Sequence, residues 1–380
     1  MTSYKETTPR FSLKDELFNR KNVTELAQRI FEVYPEFKTR AFIRRVVGKF
    51  PELELKERID WIAHNFEHYI QKDYQETVCI LLASLPPELD PKLTDDDFGE
   101  FINSPYAHFV ATRGCTKKDL QFSLAALKEM TKRFSVEGPI RSFINEFPEE
   151  TFLFLEKCSR DKNYHVRRLA SEGTRAMLPW CHSIITDYKK PLAILELLRT
   201  DKTRYVTRSV ANHMNDISKI DSVLVLKTLK KWKKGGLQDK KELDFIIKHS
   251  LRTLVNNGNK EALKLVGYTK PAIRVTKLKT NTKKVSVGDN FEFSFIVTSI
   301  KKKPQDLLID YIMYFQKKNG ELGPKTFKVK KVTLSEGESL VLSKKHRMKS
   351  MSTKTLYPGK HKIELQINGE RFDSLSFTLL

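Results

Sequence analysis

Apolar residues recur at helical spacing from about Leu13 to Leu265. Leu26, Ile30 and Val33 form one stripe. Phe42, Val46, Val47 and Phe50 form a second, and Phe66, Tyr69 and Ile70 a third. Steps of three and four residues place each set on one helix face. Pro51, Pro86-Pro87, Pro148, Pro191 and Gly235-Gly236 interrupt the pattern. The spacing therefore predicts roughly a dozen helices joined by short loops, as antiparallel pairs. At Gly267-Tyr-Thr-Lys-Pro271 the period changes. Phe291-Glu-Phe-Ser-Phe-Ile-Val alternates, as do Leu308-Ile-Asp-Tyr-Ile-Met-Tyr-Phe and Ile363-Glu-Leu-Gln-Ile. Turn signals separate these runs at Gly288-Asp289, Asn319-Gly320, Gly337, Pro358-Gly359 and Asn368-Gly369. About seven short strands in about 110 residues predict an immunoglobulin-like β-sandwich.

Two helical segments repeat. Asp161-Lys-Asn-Tyr-His-Val-Arg-Arg aligns with Asp201-Lys-Thr-Arg-Tyr-Val-Thr-Arg after a shift of 40 residues, matching Asp, Lys, Val and Arg. A fixed period near this length predicts a HEAT-type solenoid, whose units bury their apolar faces only by stacking and so leave a concave surface. The predicted fold is multi-domain, α then β: an all-α HEAT-like-repeat solenoid over residues 1–268, then a small immunoglobulin-like β-sandwich over 269–380.

The formal net charge is +22. That favours a polyanionic partner, nucleic acid ahead of an anionic membrane surface. From Lys270 onward there are 23 Lys+Arg against 10 Asp+Glu, a net of +13, leaving +9 for the longer helical part. Lys301-Lys-Lys, Lys317-Lys318, Lys328, Lys330-Lys331 and Lys344-Lys-His-Arg-Met-Lys349 cluster near turns. Lys344, Lys345 and Arg347 are candidates to touch a phosphate backbone. No apolar run reaches the ~18–20 residues that span a bilayer, and the start Met1-Thr-Ser-Tyr-Lys-Glu has no apolar h-region. Neither a membrane partner nor a secretory route is expected. Cys79, Cys115, Cys158 and Cys181 are scattered, which fits a reducing cytosol and gives no zinc spacing. Glycine-rich phosphate loops are absent too, so no metal and no nucleotide cofactor is expected.

The candidate chemistry lies in the repeats. On a helix from Tyr164 to Leu178, Arg168, Glu172 and Arg175 share one face, and Pro179 ends the helix with Trp180 thrown outward. A ladder of intrahelical ion pairs and an indole packed in the core would be the plain alternatives. In the next repeat Arg208, Asn212 and Asn215-Asp216 form the equivalent set. A lone Asp within a helix would ordinarily be a cap or face solvent. Glu137, in Ser135-Val-Glu137-Gly-Pro139, sits where a helix begins. No Ser-His-Asp or Cys-His arrangement is visible. Carboxylates in a basic groove can instead stabilise the positive charge that forms on a sugar when a glycosidic bond breaks.

Ala170-Ser-Glu-Gly-Thr-Arg-Ala-Met-Leu-Pro-Trp180, followed by Arg208-Ser-Val-Ala-Asn-His-Met-Asn-Asp-Ile-Ser218, closely resembles the HEAT-like-repeat DNA alkylation repair glycosylases, in particular the AlkC branch, a relative of AlkD. Phe11-Ser-Leu-Lys-Asp-Glu-Leu-Phe-Asn19 and Val136-Glu-Gly-Pro-Ile-Arg-Ser-Phe-Ile144 look similar to that branch as well. The resemblance covers nearly all of the helical part, and a C-terminal immunoglobulin-like domain is known in part of the branch.

The resemblance implies excision of cationic N-methylated bases, 3-methyladenine and 3-methylcytosine, from duplex DNA as part of base excision repair. It implies that the damaged base stays stacked instead of being flipped into a pocket. Glu172 would be the principal carboxylate, Asp216 the second, Glu137 a third, and Trp180 the aromatic against the sugar. Arg168, Arg175 and Arg208 would hold phosphates. Gly138 stands where several relatives have Phe, and Ala176 where some have Pro. The expectation is a cofactor-free monomeric bacterial enzyme of the cytosol and nucleoid, with duplex DNA as partner and the basic sandwich as a clamp. A HEAT-repeat scaffold that binds nucleic acid or protein without catalysis is the alternative.

Overall fold

The computed structural model describes residues 12–93, 95, 98–350 and 355–380. Phe11 of the resemblance, and the start of the chain, lie outside the described residues. By packing, the chain divides into two compact units. One comprises the described residues up to Asp216 together with Leu237–Ile246, and the other comprises Ile217–Gly236 with Ile247–Leu380.

The described helices are α1 (Leu13–Leu17), α2 (Arg20–Val33), α3 (Thr39–Lys49), α4 (Leu55–Ile70), α5 (Tyr74–Ala83), α6 (Ser104–Arg113), α7 (Leu120–Met130) and α8 (Ile140–Glu146). They continue with α9 (Pro148–Cys158), α10 (Tyr164–Glu172), α11 (Leu192–Leu198), α12 (Arg204–Ser218), α13 (Ser222–Gly235), α14 (Lys240–Ser250), α15 (Arg252–Asn256) and α16 (Lys260–Leu265). They are shorter and more numerous than the apolar stripes predict. In each stripe the inner members are buried, Leu26, Ile30, Phe42, Val46, Phe66 and Ile70 among them, whereas Val33 at the end of its helix is exposed. Side chains begin many helices by accepting an otherwise orphaned N–H: Asn19 from Asn22 at 3.0 Å, Asp73 from Glu76 at 2.9 Å and Asn163 from His165 at 2.9 Å. Glu54 and Glu57 form a capping box on α4. In the helical unit, neighbours in sequence pack together, α2 on α3, α8 on α9 and α9 on α10. No helix among the described residues is long and apolar enough to cross a membrane.

The 40-residue repeat has a physical cause. Asp161 accepts from Asn163 N and Asp201 from Thr203 N, both at 2.8 Å, so each aspartate folds the turn that starts its helix. Asp239 does the same for Lys241 at 2.9 Å, a third copy at a spacing of 38 that a fixed shift does not find. Arg167 joins the two repeated turns, both within the first unit, by a fork onto Asp201, with Nε–Oδ2 at 2.5 Å and Nη2–Oδ1 at 3.0 Å.

The second unit carries the strands β1 (Ile273–Thr280), β2 (Lys284–Val285), β3 (Asn290–Ser299), β4 (Gln305–Gln316), β5 (Leu322–Leu334), β6 (Ser339–Arg347), β7 (Gly359–Ile367) and β8 (Glu370–Leu379). Sheet order is β1-β3-β6 and β2-β8-β7-β4-β5. Alternate residues fill the space between the sheets: Phe291, Phe293 and Phe295 from β3, Tyr311 and Met313 from β4, Phe377 from β8. Asn368 and Gly369 turn β7 into β8 with φ of 46° and 81°, as a tight hairpin with two left-handed residues requires. The outward residues of β4, Leu308, Asp310 and Ile312, are buried too. The alternation there therefore marks two packed faces and no wet one. Helical residues of the same unit meet this region, with Gln366 donating to Asn256 O at 3.1 Å and Lys260 pairing with Glu370 at 2.9 Å.

Candidate functional site

The helix expected to run to Leu178 stops at Glu172. Three local competitors end it. The Thr174 hydroxyl takes the carbonyl of Ala170 at 2.8 Å, and the buried Arg141 of α8 donates to Gly173 O at 3.2 Å and Arg175 O at 2.8 Å. Gly173 itself fits between Ile140 and Leu169, where a Cβ would come within 2.6 Å of the Ile140 side chain. Arg175 therefore lies in a turn beyond the helix, not one face further along it, and Pro179 is well past the true end. The turn lets the guanidinium fold back toward two acids.

Five charged side chains from three segments interlock. Arg175 Nη1 lies 2.6 Å from Glu172 Oε1, and its Nε lies 2.8 Å from Asp216 Oδ2 on α12. Arg168 Nη2 approaches Glu172 Oε1 at 3.7 Å, and its Nη1 lies 3.5 Å from Glu137 Oε2 in the turn before α8. Ser209 donates to Glu172 Oε2 at 2.6 Å, and Ser135 bridges Arg168 and Glu137. The Arg168 guanidinium also sits 4.4 Å from the centre of the Tyr205 ring. The chain Glu137–Arg168–Glu172–Arg175–Asp216 thus carries three carboxylates and two guanidiniums, a formal net of −1.

Burial decides how these charges behave. Asp216 is 1% exposed and Glu172 5% exposed, so Asp216 is neither a cap nor a solvent-facing residue. Burial alone would push the Glu172 carboxyl up; Arg168, Arg175 and the Ser209 hydroxyl outweigh it and hold it below the ordinary 4.5. Arg175 is opposed by burial, yet the two acids raise it further and keep it charged. Arg168 and Arg175 are themselves buried, placed as counter-ions to the acids and not presented to solvent. Arg208 pairs with Asp95. Asn212, aligned with Glu172, lies on the same α12 between Arg208 and Asp216. Glu137 is the most exposed of the three carboxylates, with 24% of its side chain accessible.

Trp180 is the opposite of a core residue. It is 87% exposed, with a left-handed φ of 68° that a bulky residue rarely adopts. The loop that carries it is held from behind. Arg141 Nε donates to His182 O at 2.6 Å, and Lys56 reaches Trp180 O. Asn145 donates to Ser183 O at 3.0 Å and accepts from Ile185 N at 2.9 Å. On the sandwich, Lys344 is half-buried, Lys345 pairs with Glu292 at 2.8 Å, and Arg347 is exposed, all on β6 at the edge of its sheet.

Sequence reasoning did not pick out Ser135, Arg141, Asn145, Tyr205, Ser209 or His213. Arg141 was visible inside Val136–Ile144 but had no partner in sequence, since its acceptors are backbone carbonyls more than 30 residues away. His213 is wholly buried on α12, with Nδ1 3.1 Å from Ser171 O and, among the described residues, no hydrogen-bond partner for Nε2. Burial first, and Arg175 second, push it down to about 4. Among the described residues no group of three His, Cys, Asp or Glu is arranged to hold a metal ion.

Known proteins resemble this chain over its whole length. Residues 274–380 match the family model described as uncharacterised protein YhaZ, C-terminal Ig-like domain. YhaZ of Bacillus subtilis (strain 168), itself described as uncharacterised, is 32% identical over 367 residues, spanning 95% of this chain and 98% of that protein. The solved structure of Pseudomonas fluorescens alkylpurine DNA glycosylase AlkC, bound to DNA containing an abasic site analog, aligns with a TM-score of 0.86 and 30% identity, over 97% of this chain and 100% of that one. A helical part followed by an immunoglobulin-like β domain, at these identities and this coverage, means that the chain belongs to the AlkC and YhaZ family.

Proposed function

We propose that this protein is a DNA glycosylase of base excision repair, of the DNA-3-methyladenine type. It releases cationic N-methylated bases, 3-methyladenine and 3-methylcytosine, from duplex DNA without flipping them. The observation that carries this reading is the interlocked acid–arginine chain with its net of −1, together with an exposed indole on a loop whose backbone is anchored. In the reaction the C1′–N bond breaks and its electron pair leaves with the base, which becomes neutral. Positive charge then spreads over C1′ and the ring oxygen of the sugar. Water adds at C1′ and loses its proton to solvent, leaving an abasic site. The methylated base already carries the charge that a general acid would otherwise have to supply. Glu172 and Asp216 stabilise the sugar cation, Glu137 approaches it from the more exposed side, and the Trp180 indole lies against the deoxyribose.

In this reading residues 1–268 form the HEAT-like solenoid that binds DNA and catalyses, and residues 269–380 add a lysine-rich DNA surface that includes Lys344, Lys345 and Arg347. Arg208 is close enough to solvent to exchange Asp95 for a phosphate. The enzyme acts as a cytosolic monomer, without metal or nucleotide cofactor.

The test is release of free methylated base from randomly methylated duplex, using intact protein, Glu172→Gln, Asp216→Asn and an enzyme-free control for spontaneous depurination. Release that collapses in both variants supports the reading. Release no faster than the control, from folded and DNA-bound protein, refutes it and leaves the non-catalytic scaffold. Binding alone does not separate the two, because either reading allows Glu172→Gln to bind more tightly.

A further inference from the structure

A cavity of about 610 Å³ lies wholly within the strand-bearing unit, bounded by the end of α14, α15, residues 266–268, and strands β4 and β5. Its lining carries Lys248, Arg252, Lys328 and Lys331 with one acid, Asp306, and the buried carboxyl of Asp310 also faces Lys328 and Lys331, leaving cations in excess. Val255, Val266, Leu307, Leu308 and Val332 supply apolar lining, with Tyr268 among the lining residues. The walls are pinned. Asn368 donates to Thr269 O and Asp306 O, each at 2.9 Å, and accepts from Leu308 N at 2.7 Å. The carboxylate of Asp306 is engaged by the Thr333 hydroxyl at 2.5 Å. Among the described residues Lys248, Lys328 and Lys331 form no salt bridge.

Like charges gathered on a fixed frame repel one another, and an anion relieves that repulsion. Lysines on β5 have a simpler use, since β5 is a sheet edge and charge there blocks pairing with another chain. That use accounts for Lys328 and Lys331. It does not account for Lys248, which comes from α14 to the same cavity, beside Arg252 of α15, whose Nη1 donates to His249 O at 2.6 Å. The volume falls within the ~300–1,000 Å³ of small-molecule sites, and an apolar lining with cations in excess suits a ligand with one anionic end.

We propose that this cavity is a phosphate site that takes a ligand of nucleotide size, the lining cations holding the phosphate and the apolar lining with Tyr268 covering the sugar and base. The phosphate belongs either to a free mononucleotide or to a nucleic-acid strand, and the experiment distinguishes the two sources. Titration calorimetry on the full chain at low salt would use inorganic phosphate, deoxyadenosine monophosphate and unmodified duplex in turn. The pair Lys328→Gln/Lys331→Gln is compared with Lys240→Gln/Lys241→Gln, an equal change of charge outside the cavity.

Loss of nucleotide affinity by about tenfold or more in the cavity pair alone supports a free-nucleotide site. No nucleotide binding, but duplex affinity lost beyond the control pair, supports a strand phosphate. Asp306→Asn should tighten binding of whichever ligand is held, which keeps the question open to test if the lysine pair folds poorly. If neither the lysine pair nor Asp306→Asn changes affinity for any of the three ligands relative to the controls, the proposal is overturned and the β5 lysines only guard an edge.

Discussion

His213 offers a quantitative test of how tightly α10 and α12 are joined. Its imidazole is wholly buried and touches the Ser171 carbonyl through Nδ1 at 3.1 Å. Charging it would place a cation without water beside Arg175, with Asp216 and Glu172 only partly compensating. Folding therefore pushes the imidazole from 6.5 to about 4. Between these values the unfolded chain binds more protons than the folded one, so stability rises with pH through this window and is lost as pH falls through it. At about 1.4 kcal/mol per unit, the window is worth about 3 kcal/mol in all, of which about 2 kcal/mol is lost between pH 7 and pH 5.

His213→Gln removes that titration while keeping an N–H that can reach the same carbonyl. At pH 7 the variant should be less stable by about 1–2 kcal/mol, from an imperfect fit and a bent hydrogen bond. At pH 5 the two proteins should have converged. Urea unfolding at pH 5, 6 and 7, following the transition of the unit that holds α12, measures the difference and cancels groups common to both proteins. Parallel stability curves for the two proteins would refute the reasoning, because the imidazole would then titrate alike whether folded or not.

Other expectations follow from the same contacts. Arg175→Met leaves Glu172 and Asp216 buried with one counter-ion fewer, so it should cost about 3–5 kcal/mol in urea unfolding and move the acid limb of base release to higher pH. Trp180→Ala should change the unfolding free energy by no more than about 0.5 kcal/mol, since the indole is exposed, yet reduce base release from methylated duplex. Arg141→Met should free the loop after Gly173 from its anchor, seen as new limited-proteolysis cuts around Trp180 with helix content retained. Asp310 is pushed up to about 6 by burial, with Lys328 pulling the other way, so Asp310→Asn should stabilise the strand-bearing unit at pH 7 and have little effect at pH 4.

Much of the architecture was legible because it rests on short-range signals. Helical spacing located the buried residues Leu26, Phe42 and Phe66, and period-2 runs located β3, β4 and β7. The shift of 40 worked because Asp161 and Asp201 each fold one turn by a bond to the residue two positions on. The end of α10 was not legible. It depends on Arg141 seizing carbonyls from a distant helix, and side chains bonded to backbone leave no pairwise trace in sequence. The acids Glu172, Asp216 and Glu137 were named from the motifs that hold them. Their interlocking was hidden because Arg175 turns back through a bend, not along a helix face. The same hidden bend makes Arg175 a bridge between acids and keeps it from serving as a free cation.

That bridge bears on what the acids can do. A carboxylate held below its ordinary pKa by two guanidiniums is a weak base, so Glu172 is poorly suited to pull a proton from water. Its charge, however, is fixed across the neutral range, and it is oriented by Arg175 at 2.6 Å and Ser209 at 2.6 Å. Arg175 also stands between Glu172 and Asp216, so one guanidinium faces both acids in a dry interior. A preset negative field of this kind stabilises a cation that forms nearby, at no cost of reorganisation during the reaction. Because the folded Glu172 carboxyl lies below 4.5, the stability it contributes is present above that pH and is lost as pH falls through the folded value. Base release should follow the same course, level through neutrality and falling only in acid below the ordinary glutamate range. A profile that instead rose steadily from pH 5 to pH 8 would mean that a group with a raised pKa is taking a proton, and the electrostatic role of Glu172 would have to be given up.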